Sequence, residues 1–413
     1  MHQAEPADDP VRLAQLQQQL DRQFRPHPQY RPATDDEGRA KQLTVYISHK
    51  QHWSQLLNTW LDNAADFSPF HLTAALCRLS QLACRDGISA ADRPEVFKFS
   101  GALLSAVQEG IQAFDSRGLA QCLWAYAKLQ FVAPHSSSSG DAAAAALTSM
   151  LLSQSHMQQL QPSQLSQIAW ASATLQSRGM VLESGWWAAV EQRSLQLMQW
   201  LKPSEAACCA WALTRNKHRL AAPLAAALCE QLVRTAGAYE PRELVQVMLA
   251  LAVGQQQQQQ ALQSSITQPA ASSSWLAVCY SRLHQEAPCM SAHELSAAFL
   301  ALSRLGARNI PSSSLSTGYH QLPITFSVRL LKRALDVLPS SSPRQLVSMV
   351  YGLAQLQLNP GPWWWARFLP FSAAALHVCS PSMLAVLAWS LAKLDVQPSA
   401  GWMQELLQHS GRC

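Results

Sequence analysis

The stretch that decides the fold is LAQCLWAYAKLQF, residues 119–131, because it is written again almost unchanged as LAVLAWSLAKLDV at 384–396. Both open on Leu-Ala, carry Trp five residues on (Trp124, Trp389) and close on Ala-Lys-Leu (Lys128, Lys393). Counted from the opening leucine, apolar residues fall at +3, +4, +7 and +10 or +11. That is the stripe of an amphipathic helix, not the alternation of a strand. Six further copies align on the same anchor, giving the series Leu72, Leu119, Leu165, Ala206 (a substituted copy), Leu244, Leu295, Leu346 and Leu384. The shortest interval between anchors, 38 residues, occurs twice and is the basic unit.

Each copy has a marked start. Proline stands three residues before the anchor at Pro69, Pro162, Pro203, Pro241, Pro343 and Pro381. Proline suits the first position of a helix, where its missing N–H has no partner to lose. Ser68, Ser342 and Ser380 precede it as N-caps. Ser291 with Glu294, and Ser342 with Gln345, have the spacing of capping boxes. Helices are therefore expected to start near 69, 116, 162, 203, 241, 292, 343 and 381. Between them lie less regular, aromatic-led helical patterns, such as WWAAVEQRSLQLM at 186–198 and FSVRLLKRALDVL at 326–338.

Two helices of this length fill one unit, and a lone hairpin cannot bury both of its apolar sides, whereas stacked copies can. Stacking also fits the composition, since 48% of the 413 residues are apolar and only 14% charged, against roughly 25% charged in ordinary domains. The expected fold is all-α, a right-handed α-solenoid of about eight helix-turn-helix repeats over residues 43–413. Residues 1–42 read as a disordered or partly helical extension. Ser- and Gln-rich tracts at 133–143, 254–274 and 307–323 read as loop insertions between units. At the anchors, and at Trp124, Trp170, Trp211 and Trp389 (position +5), the residues are read as repeat core. The small residues nearby suit close helix approach.

With 0, +3, +4 and +7 in the core and +1, +5 and +8 against neighbours, the free stripe is expected at +2, +6 and +9. Position +2 offers Gln121, Gln167, Gln246 and Ser348; position +6 is small except for Arg78; position +9 carries Gln81, Lys128, Thr174, Arg215, Arg304, Gln355 and Lys393. Amides can both donate to and accept from a base edge, and cations suit phosphates. Equally, +6 could be small for packing alone, and +9 could be a solvated position near the helix C-terminus, where cations favour the dipole. From residue 41 onward 26 Lys and Arg stand against 19 Asp and Glu, a mild basic excess that permits a polyanion partner.

Other chemistry finds little support. The ten cysteines form no CxxC pair and no zinc-type spacing, which points to a reducing compartment and to no metal. His377 and Cys379 lie two apart and would not face each other on a helix. There is no phosphate-binding loop, no glycine-rich turn after a strand and no paired-acid constellation, so neither an enzyme nor a cofactor is expected. The most apolar stretch, Trp363 to Cys379, is too short to span a bilayer, and no clear targeting peptide opens the chain.

The proline-led second helix, the LxxxLWAxAKL-like text and the period of 38 resemble the octotricopeptide repeat proteins of green-algal organelles, and are similar to the leucine-rich region of FAST-kinase-like mitochondrial proteins. The first unit, ISHKQHWSQLLNTWLDNAADFSPFHLTAALCRLSQL at 47–82, carries the resemblance most fully. Many such proteins end in a RAP domain. No RAP-like segment is seen here, and the last residues read as the first helix of a ninth unit around Trp402. The resemblance implies a single-stranded RNA-binding protein of the mitochondrion or chloroplast, acting in transcript stability, processing or translation, with organellar RNA and other RNA-processing proteins as partners. The alternative is a protein–protein scaffold without RNA binding.

Overall fold

A computed structural model describes residues 36–132, 138–216, 218–261, 274–305, 307–308, 320–321 and 323–410. Nineteen α-helices are found among the described residues: α1 Asp36–Ser48, α2 Trp53–Asn63, α3 Pro69–Asp86, α4 Arg93–Glu109, α5 Ser116–Val132, α6 Ser138–Leu152, α7 Gln154–Gln159, α8 Pro162–Gln176, α9 Trp186–Leu197, α10 Pro203–Arg215, α11 Ala222–Thr235, α12 Pro241–Ala261, α13 Ser274–Glu286, α14 Ala292–Arg304, α15 Ile324–Val337, α16 Pro343–Leu356, α17 Pro362–Ala375, α18 Pro381–Lys393 and α19 Ala400–Ser410.

The helices pack consecutively in two layers. In one, α1, α3, α5, α8, α10, α12, α14, α16 and α18 each contact the next. In the other, α4, α6, α7, α9, α11, α13, α15, α17 and α19 do the same. The anchors Leu72, Leu119, Leu165, Ala206, Leu244, Leu295, Leu346 and Leu384 are all buried in one continuous core.

Entry into the anchor-bearing helices follows one pattern. Most helices that precede an anchor-bearing helix end in a short 3₁₀ turn, such as 64–66, 236–238 or 376–378, followed by one extended residue and then the N-cap. The residue three positions into the helix reaches back to accept the N-cap backbone N–H: Glu205 to Lys202 at 2.9 Å, Glu243 to Glu240 at 3.0 Å, Glu294 to Ser291 at 2.7 Å, Gln345 to Ser342 at 2.7 Å and Gln164 to Gln161 at 2.8 Å. In α3 the same task falls to the buried His71, whose Nδ1 accepts from the Ser68 N–H while Nε2 donates to the Ala40 carbonyl. Each such bond satisfies one of the four N–H groups that a helix start leaves unpaired.

Several boundaries differ from those expected. A helix already begins at Asp36, seven residues before the expected solenoid start, and α1 occupies the place of an anchor-bearing helix beside α3. Within the tract 133–143, residues 138–143 belong to α6, where an alanine run (142–146) favours helix and the Tyr126 hydroxyl donates to Asp141 at 2.8 Å. Within 254–274, α12 continues through Gln255–Gln260 to Ala261, because glutamine ranks among the better helix formers and simply extends a helix already nucleated. In 307–323 a two-residue parallel pairing joins Ala307–Arg308 to His320–Gln321. The remaining residues of these tracts, and 1–35, lie outside the described residues.

Candidate nucleic-acid interface

The anchor-bearing helices turn one face toward the other layer and two faces toward their neighbours in the stack. At about 100° per residue, positions 0, +4, +7 and +11 point inward, and the opposite side collects −2, +2, +5 and +9. The burial pattern follows this geometry. In α5, Leu119, Leu123 and Tyr126 are buried, whereas Arg117 is exposed and Gln121, Trp124 and Lys128 are partly exposed.

Of the expected stripe, +2 and +9 lie on this open face and +6 does not. Position +6 is closed: Ala125, Ala171, Ala212, Ala250, Ala301, Gly352 and Ser390 are buried between neighbouring helices. A Cβ placed on Gly352 would meet the Phe299 Cβ at 2.6 Å, which shows how closely α14 and α16 approach. Position +5 is open instead. Trp124, Trp170 and Trp211 rest on the core and are partly exposed, Tyr351 is also partly exposed, and Trp389 is 44% exposed. Trp124, Trp170 and Trp211 thus pack against the core from its open side, half-buried, and Trp389 lies nearer the surface.

Rings and cations lie together on this face because +5 and +9 are one helical turn apart. The Lys128 ammonium sits 5.5 Å from the Trp124 ring and 5.0 Å from the Trp170 ring, linking two consecutive anchor-bearing helices. The Arg215 guanidinium lies 5.4 Å from the Trp211 ring. Phe131, 60% exposed, makes an edge contact with Trp170, and Tyr351 contacts Trp389 at 5.8 Å. A cation over an exposed aromatic face contributes about 0.5–1 kcal/mol, which favours contact of the charge with the ring by about two- to fivefold.

Of the residues expected to contact RNA, Gln121, Gln167, Gln246, Ser348, Lys128, Arg215, Arg304, Gln355 and Lys393 all lie on this stripe, exposed or partly so. The Gln167 side-chain oxygen is enclosed and has no hydrogen-bond partner. Three candidates have other occupations. Thr174 is buried, with its hydroxyl donating to the Trp170 carbonyl. Arg78, at the closed +6 position, donates from Nε to the Lys50 carbonyl at 2.7 Å beyond the end of α1, and from Nη1 to Gln81 at 3.3 Å. Gln81 is exposed at +9 but is engaged by that arginine.

The sequence reading missed the −2 row: Phe70, Arg117, Ser163, Ser204, Arg242, His293, Arg344 and Ser382, all exposed. It continues the stripe one turn N-terminal of +2, so the same i, i+4 spacing could have found it. Across −2, +2, +5 and +9 of all eight helices there is no Asp or Glu, while seven positions carry Arg or Lys. None of these seven cations pairs with a carboxylate among the described residues. Burial holds the Cys77 and Cys208 thiols, also on the stripe, in the neutral form and pushes them up to about 11 and about 12.

Among the described residues no three His, Cys, Asp or Glu side chains gather as metal ligands, and no helix is long and apolar enough to cross a membrane. No protein-family model matches this chain, and no curated protein matches it.

Proposed function

We propose that this chain is a single-stranded RNA-binding helical-repeat protein, a right-handed α-solenoid of about eight repeats of the octotricopeptide kind. The observation that carries the proposal is the stripe at −2, +2, +5 and +9, free of acidic residues over eight anchor-bearing helices and furnished with seven cations and, at +5, five aromatic rings. Phosphates neutralise the cations, bases stack on the rings, and the +2 glutamines offer hydrogen bonds to base edges. A peptide-binding scaffold has no need to exclude carboxylates from so long a surface, whereas a polyanion does.

The proposal extends to post-transcriptional control in a mitochondrion or chloroplast, in company with other RNA-processing proteins. Crosslinking in cells followed by sequencing tests both parts, with enrichment of organellar transcripts as the expected result. Recovery of no transcript above background, together with salt-insensitive capture of a protein partner, would replace RNA binding by the scaffold reading.

A further inference from the structure

The aromatic row is interrupted. Position +5 reads Trp124, Trp170 and Trp211 in three consecutive helices, then Leu249 and Leu300, then Tyr351 and Trp389. Within the first run Lys128 bridges Trp124 and Trp170, and in the second Tyr351 contacts Trp389. In the two helices between, the open surface at +5 is aliphatic, while charge for phosphates persists in Arg242 and Arg304.

Resting on the RNA-binding reading, we propose that the bound strand is held in two stacked runs, three bases on α5, α8 and α10 and two on α16 and α18. The two nucleotides between them, over α12 and α14, are held by their backbone only. The physical reason is that an aromatic face stacks on any base, whereas a leucine side chain offers no π surface of matching area. One base per helical repeat is the spacing that other helical-repeat readers use. The prediction is therefore a strand whose dependence on its bases is not uniform, with one tolerant window of two adjacent nucleotides displaced from the centre.

The test uses a seven-nucleotide oligoadenylate and its six variants in which each adjacent pair of bases is replaced by abasic ribose, binding being followed by fluorescence anisotropy at constant salt. Removing two stacked bases should weaken binding roughly 25-fold or more, at about fivefold or more for each base. Removing the pair over α12 and α14 should change affinity about twofold or less. In the variant L249W/L300W the aromatic row becomes continuous, and the tolerant window should close. A uniform loss across all six strands, or a window that persists in L249W/L300W with unchanged helical content, overturns the division into two runs. Failure of the intact strand to bind overturns the proposed function itself, a result distinct from either of these.

Discussion

Replacing Arg117, Arg242 and Arg344 together by glutamine removes the entire −2 arginine row while keeping residues with good helix propensity. The consequence for RNA binding can be worked from the stripe. Each phosphate neutralised on a single strand contributes about −0.7 to the slope of log affinity against log salt. Seven cations therefore give a slope of about −5, and the four that remain in the variant give about −3. Between 50 and 200 mM salt the parent should lose roughly a thousandfold in affinity and the variant roughly fiftyfold. Anisotropy titrations at four or five salt concentrations measure both slopes, and far-ultraviolet circular dichroism checks that the helices persist. An unchanged slope in a folded variant would remove the −2 row from the interface, and a slope near zero in the parent would refute the electrostatic argument altogether.

Further expectations concern the scaffold. Gly352→Ala should destabilise the α14–α16 junction by about 1–3 kcal/mol, since a Cβ there overlaps the Phe299 Cβ and lies 3.0 Å from its backbone carbon; hydrogen exchange on α14 and α16 reads this locally, and the stabilisation of about 1 kcal/mol expected from helix propensity alone would show that the junction can yield. Ser342→Ala should cost about 1 kcal/mol, because the Ser342 hydroxyl caps the Gln345 N–H; urea unfolding with α16 protection as a second readout checks it. Alkylation at pH 7.5 should mark the exposed Cys84 and Cys289 first, while Cys122 and Cys279, buried and pushed up to about 12, should react only on unfolding. Those same thiols ionise near 8.5 in the unfolded chain but near 12 when folded, so above pH 8.5 the unfolded state binds fewer protons and stability falls as pH rises; urea midpoints at pH 8 and pH 10 should differ in that direction, and equal midpoints would argue against it.

The signals that made the helices legible are local. A proline at N1 and a side chain at N3 that returns to the N-cap need no knowledge of the neighbours, and the anchor helices begin at Pro69, Ser116, Pro162, Pro203, Pro241, Ala292, Pro343 and Pro381. The Gln255–Gln260 tract was harder, because low complexity and helix propensity pull in opposite directions. A helix already nucleated at Pro241 decides for the second. Which way each helix is rotated in the stack is not a local property. Both +5 and +6 are apolar, and size alone assigns the tryptophans inward and the alanines outward. Contact between adjacent helices reverses this, as the space at Gly352 shows. One clue was present in the text: Trp124 with Lys128, Trp211 with Arg215 and Trp389 with Lys393 are i, i+4 pairs, and residues so spaced share a face. A tryptophan one turn from an exposed lysine is close to the surface whatever its hydrophobicity.

The absence of acid at position −2 fits how the helices are capped. Carboxylates are useful at the start of a helix, where they complement the dipole and the unpaired N–H groups. In this chain they occupy N3 in Glu205, Glu243 and Glu294, which is position −1, and each turns back onto its own N-cap backbone. Position −2 is only one residue away, but about 100° around the helix, on the open face. Where a glutamate caps, the negative charge is turned aside and −2 stays free, as for Arg242 beside Glu243. Moving a carboxylate from −1 to −2 would keep the composition and the net charge, yet it would lose a cap and set an anion in a row of cations. Stability and the RNA affinity proposed above are thus coupled through the choice of a single helical position in the helices capped by Glu205, Glu243 and Glu294.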